Sequence, residues 1–102
     1  MIYRGTTPTF SITLPETFPV SDITVAYLSF KQLGQKLFDK ILSDMVVDQE
    51  TNSLNVTLSQ ENTLSFKDGY LKFQLRFVFE GEVWATEEWE ETVKDVIKDG
   101  EI

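Results

Sequence analysis

Along most of this chain apolar and polar residues alternate with a period of two, the pattern of strands that bury one face. Phe10, Ile12 and Leu14 alternate with Thr9, Ser11 and Thr13 until Pro15 ends the run. Pro8 has no N–H to give to a ladder, so this strand is expected to begin beside it or to lie on a sheet edge. After a loop at 18–22, "ITVAYLSFKQ" from Ile23 reads as a long strand, with Ile23, Val25 and Tyr27 on one face and Ala26, Leu28 and Phe30 on the other. Apolar residues on both faces suggest a central position. Gly34 turns the chain into a hairpin partner, "QKLFDK". "DMVVD" and "SLNVTL" form a second hairpin around "QETN". "SQENTLSFKDG" reads as a polar crossover ending in an Asp68-Gly69 turn. The strongest strand is "YLKFQLRFVF", with Leu71, Phe73, Leu75, Phe77 and Phe79 inward and Lys72, Gln74 and Arg76 outward.

The segment that follows supports two readings. After a Glu80-Gly81 turn, "EVWATEEWEETVKDV" can run on as one long strand. Alternatively, Trp89, Val93, Val96 and Ile97 stand at helical spacing with Gly100 beyond, so strand and helix are both open over residues 86–98. About seven short strands in 102 residues, with no repeat or linker, imply one all-β domain over residues 1–102, an antiparallel sandwich.

Composition narrows the chemistry. Hydrophobic residues make up 41% of the chain and aromatic residues 13%, enough for a packed interior. There is no Cys and no His, which removes thiol chemistry, Ser-His and Cys-His nucleophile pairs, and nearly every zinc or haem site. No apolar run approaches the length of a spanning helix, and no signal peptide is visible at the N-terminus, so synthesis and folding in the cytoplasm are expected. The charge is uneven. Residues 1–79 carry seven Lys/Arg and eight Asp/Glu, whereas residues 80–102 carry two Lys and nine Asp/Glu, so −7 of the net −8 lies in the last 23 residues. Such a field repels phosphate backbones and anionic lipid, making a basic protein surface a better partner than nucleic acid or membrane.

Few residues suggest a site. The run from Asp48 has acidic or amide side chains at the first, third and fifth positions of a calcium loop. Ser53 stands where that loop needs Gly and Ser59 where it needs a bidentate Glu, so no metal and no cofactor are expected. Glu87, Glu88, Glu90 and Glu91 contain enough carboxylates for a glycosidase pair, but nothing else suggests a sugar cleft, and no enzyme is expected. Charges along an exposed strand also guard against edge-to-edge pairing. With Trp84 and Trp89 beside them, the same carboxylates form a candidate docking segment, because Trp is enriched at interface hot spots. Arg4, at the start of the chain, is a further candidate contact.

The opening "MIYRGTTPTF", the segment "LSQENTLSF" at 58–66, "QLRF" at 74–77 and the ending "VIKDGEI" resemble a family of small phage and prophage proteins of Firmicutes. Those members open with an Arg-Gly-Thr-Thr-Pro-Thr run, carry a Leu-Ser/Thr-Gln-Glu-Asp-Thr segment and end near Asp-Gly-x-Ile. The resemblance spans the chain and implies an immunoglobulin-like or baseplate-protein-like β-sandwich. It also implies a structural or accessory role in a tail or baseplate, with other phage structural proteins, or further copies of the chain, as partners. It implies the bacterial host cytoplasm during synthesis and the virion after assembly. Relatives have a strand-like, less acidic segment in place of "TEEWEETVKDV", which favours strand there, and Asp where this chain has Asn62. The alternative is a free-standing module that binds host surface carbohydrate through Trp89 and Tyr70.

Overall fold

The computed structural model describes residues 1–102, and nearly every regular element in it is a strand. Nine strands occur in order: β1 (Ile2–Tyr3), β2 (Thr9–Thr13), β3 (Ile23–Gln32), β4 (Gln35–Ile41), β5 (Met45–Asp48), β6 (Ser53–Thr57), β7 (Gly69–Phe79), β8 (Glu82–Ala85) and β9 (Trp89–Lys94). One short helix, α1 (Gln60–Leu64), joins β6 to β7. The large sheet has the order β1-β9-β7-β3-β4, with β8 also paired to β7, and the small sheet has the order β2-β6-β5. The all-β sandwich expected from the alternation is present, built from nine strands rather than about seven. All pairings are antiparallel except β1 with β9, which run parallel.

Two tight turns set the register of the large sheet. Leu33 and Gly34 both take positive φ, at 52° and 75°, and Glu80 and Gly81 do the same at 51° and 78°. A two-residue turn of that hand matches the right-handed twist of the strands it joins. β3 is flanked by β4 and β7, the central position expected of it. Its outward face is not covered, however. Val25 and Tyr27 are exposed, while Ala26, Leu28 and Phe30 are buried. Ile23 belongs with the buried set, because a bulge between Ile23 and Val25 inserts a residue and changes which face the strand's start presents.

The ambiguous segment is strand over Trp89–Lys94, reached from β8 through a second bulge. Ala85 faces Arg76 and Trp89 faces Phe73, so four steps on one strand answer three on the other. The chain after the Glu80-Gly81 turn therefore follows β7 as one antiparallel arm with an extra residue at 86–88. Thr86 anchors the irregularity by donating its N–H to Leu75 O at 2.9 Å. The helical reading fails at Ile97, which is fully exposed.

The core lies between the sheets. Phe10 and Ile12 on β2 and Leu54 and Val56 on β6 meet Leu28 and Phe30 on β3 and Leu71, Leu75 and Phe77 on β7. Phe10 sets its edge on Phe30 (5.4 Å between ring centres) and on Phe73 (4.9 Å), a favoured aromatic geometry. The crossover at 58–68 is not all loop. Ser59 and Asn62 exchange side-chain and backbone hydrogen bonds as a capping box, which nucleates the five-residue helix.

Candidate functional site

Arg4, a candidate contact by sequence, is engaged by its own chain. Its Nε donates to Phe66 O at 2.7 Å and one terminal nitrogen donates to Leu64 O at 3.0 Å, so the guanidinium closes the C-terminal end of α1. The other terminal nitrogen donates to Asp95 Oδ1 at 2.7 Å, with Asp99 at 3.6 Å. Gly5, at φ 76°, turns the chain away immediately afterwards, and a Cβ there would meet Leu64 Cδ2 at 3.3 Å. Thr63 Oγ1 donates to Thr6 O, and Leu58 N–H donates to Pro8 O. At the other end of the chain Ile102 N–H donates to Gln60 Oε1. The stretches 4–10, 58–66 and 95–102 therefore meet in one clasp. The opening run is a lock on the fold, and its Arg is spent there.

The acidic segment is paired in part. Glu88 reaches Lys31 Nζ at 2.8 Å, Glu91 reaches the N-terminal ammonium at 2.5 Å, and Glu90 stands opposite Lys72. The hydrogen bond from Lys31 holds the Glu88 carboxyl below its ordinary range, as the bond from the N-terminal ammonium does for Glu91. Glu87 and Glu90 are exposed and have no ion-pair partner. Two of the four clustered carboxylates are thus ion-paired within the chain.

Trp84 and Trp89 lie on the inner face of the large sheet, opposite Phe77 and Phe73. Trp84 packs on Phe18, 4.9 Å between rings, at the open end of the core, and Trp89 is half-buried against Phe73. Tyr70 lies three residues from Phe73 on β7 and points to the opposite face. Trp89 and Tyr70 thus form no common platform for a sugar ring.

What the sequence did not single out is the outward face of the large sheet. Opposed residues share a face, so the pairings place Ile41, Tyr27, Arg76 and Ala85 in one row across four strands, and Val25, Val78 and Val83 in the next. Val25, Tyr27, Ile41 and Val83 are all exposed, the last at 62%. Towards the other end of the same face the rows turn polar and then charged. Ser29 bonds Asp39 at 2.6 Å, and Lys36, Lys31, Lys72 and Glu90 form the last of these rows. Burial raises the Asp39 carboxyl, but the hydrogen bonds from Lys36 and Ser29, with the Lys36 charge, outweigh it and leave the group below its ordinary range.

Arg76 is the unusual member of this face. It makes no hydrogen bond and no ion pair, although it is flanked by apolar side chains. The signal that could have found it is its place on the polar side of β7 next to Tyr27 and Val78, which strand alternation alone reads as solvent.

No family model matches the chain, and no characterised protein matches it. No group of three or more carboxylates converges in metal-binding geometry. No helix is long and apolar enough to cross a membrane. The surface with the most available binding chemistry is therefore the apolar end of the outward face, where a flat two-row patch surrounds one free guanidinium.

Proposed function

We propose that this protein is a non-catalytic structural or assembly module of a phage or prophage particle, associated with the tail or baseplate and working through protein–protein contacts. The resemblance in its opening, middle and closing stretches supports the phage setting. The observation that carries the contact role is the outward face of the large sheet. Antiparallel sheets commonly leave one face to water, and that face is then polar. Here its end is apolar across four strands, and clustered exposed apolar residues around a polar rim mark interaction surfaces. The acidic end of the chain contributes orientation and encounter rate rather than the contact itself, since two of its four clustered Glu, Glu88 and Glu91, are already answered by cations.

The test uses purified products of the genes adjacent to this one, tail and baseplate proteins first. The wild-type protein is expected to capture at least one of them, and a Val25→Asp, Val83→Asp double variant with an unchanged circular dichroism spectrum is expected to lose that capture. Equal capture by both proteins would move the contact off this face. Capture of none, by either protein at low or moderate salt, would remove the assembly reading.

A further inference from the structure

Resting on the contact role proposed above, we infer that the outward face of the large sheet packs against the same face of a second copy, through a two-fold axis that runs along the strands between β3 and β7. The row across the sheet is self-complementary about that line. With Ile41, Tyr27, Arg76 and Ala85 in order on β4, β3, β7 and β8, the axis lays β3 over β7 of the second copy. Each Tyr27 ring then receives Arg76 of the other copy, and each Val25 meets Val78 of the other copy. Ile41 falls on Ala85.

Three observations favour a second copy over an unrelated occupant. Arg76 has no acceptor in its own chain, and the chain's cation–π contact is Lys40 over Phe38, so its guanidinium is free to lie on an aromatic face. Tyr27 is the only aromatic residue in the two apolar rows, and the axis places it directly opposite that guanidinium. At the charged end the same axis brings Lys36 towards Glu90 of the second copy. It also opposes Lys31 and Lys72, of which Lys31 is already paired with Glu88, and Glu90 then lies between Lys72 of its own chain and Lys36 of the other. Sheets stacked face to face lie about 10 Å apart, with their strands within about 30° of alignment. Isologous contact of this kind closes on itself and gives a dimer rather than a filament.

Sedimentation equilibrium of the wild-type protein between about 10 and about 500 µM is expected to show reversible dimerisation, since a small interface of this type gives an affinity in the micromolar range or weaker. Tyr27→Arg, which sets two guanidinium groups against each other, is expected to weaken the dimer by about tenfold or more. Circular dichroism verifies that the exposed substitution leaves the fold intact.

Because the chain has no Cys, the axis can be read directly. A short bismaleimide is expected to join Ile41→Cys protein to Ala85→Cys protein in a mixture, and not to join Ile41→Cys protein to itself, because the axis places the first pair face to face and the second three strands apart. A monomer at every concentration overturns the second-copy reading and leaves the capture test to judge the assembly role separately. A dimer indifferent to Tyr27→Arg, or one in which Ile41→Cys links to itself, overturns it equally.

Discussion

Arg4 and Arg76 are the chain's two arginines, and they do opposite things. Arg4 has a side chain only 19% exposed and bonds two backbone carbonyls and one carboxylate. Arg76 is exposed among valines and a tyrosine and bonds nothing in its own chain. A guanidinium is planar with five donors, so where acceptors are fixed around it the group holds a fold together, and where none are present it remains available to another molecule. The candidate contact at the start of the chain is a clamp, and the arginine on the solvent-facing side of β7 is the free one.

Substitution measures the contrast directly. Arg4→Ala leaves the part-buried carbonyls of Leu64 and Phe66 without their donor, and urea unfolding is expected to show a loss of about 2 to 3 kcal/mol, whereas Arg76→Ala should change stability by no more than about 0.5 kcal/mol. Equal losses would erase the distinction. Arg4→Lys should recover only part of the difference, because an ammonium cannot span both carbonyls and Asp95 with fixed geometry.

A second clamp, at the other end of the small sheet, shows whether the Arg4 effect belongs to charge or to closing backbone groups. Asn52 takes φ 53°, donates through Nδ2 to Leu14 O at 2.9 Å and Phe18 O at 3.2 Å, and accepts from Val20 N–H at 2.9 Å. It carries no charge, yet Asn52→Ala is expected to cost about 2 kcal/mol by chemical denaturation, through lost bonds and an unfavourable left-handed alanine. Asn52→Gly, which removes only the bonds, should cost less. A charge-based account of Arg4 gains weight if Asn52→Ala proves neutral. Smaller again is Ser59→Ala, which removes the acceptor for Asn62 N–H at the start of α1 and should cost about 1 kcal/mol. Its effect should add to that of Arg76→Ala, which lies elsewhere, and not to that of Arg4→Ala, which grips the same helix.

Much of the fold was legible because burial on one face writes itself as alternation. Phe10 and Ile12, Leu28 and Phe30, and Leu71, Leu75 and Phe77 are buried as their spacing predicts. The failures are local shifts in phase. Trp84 and Trp89 are five residues apart, which should put them on opposite faces, yet both face inward because the bulge at 86–88 adds one residue. The helical reading of this segment comes instead from Val96 and Ile97, which fall at helical spacing from Trp89 and Val93 but lie beyond the end of β9. Ile23 departs from the alternation of β3 for the same reason, a bulge between it and Val25. The five-residue helix has too few apolar positions for a period to register, and only its Ser59–Asn62 box marks it. The candidate site was less legible, since whether an arginine is free depends on partners brought from 60 and 91 residues away, as at Arg4.

The last contrast between the two arginines is in their response to acid. Asp95 is held below its ordinary value of 3.8 chiefly by the hydrogen bond from Arg4, and also by the one it accepts from Val96 N–H. A carboxylate depressed in the folded chain is protonated first in the unfolded one. Its stabilisation is therefore complete above about pH 5 and lost as the pH falls through 3.8 towards the depressed folded value. Thermal melting of the wild type is expected to fall between pH 5 and pH 3. In Arg4→Ala the larger share of the Asp95 part of that fall should be lost, the Val96 N–H share remaining, and the slope should become shallower, although the protein starts from a lower melting point. In Arg76→Ala the slope should match the wild type, because no carboxylate pairs with that guanidinium. Asp39, Glu88 and Glu91 are depressed by other partners and supply the acid lability that remains in both variants. If Arg76→Ala flattened the profile as much as Arg4→Ala does, a carboxylate would have to reach Arg76 in solution, and the guanidinium proposed to meet Tyr27 of a second copy would not be free to do so.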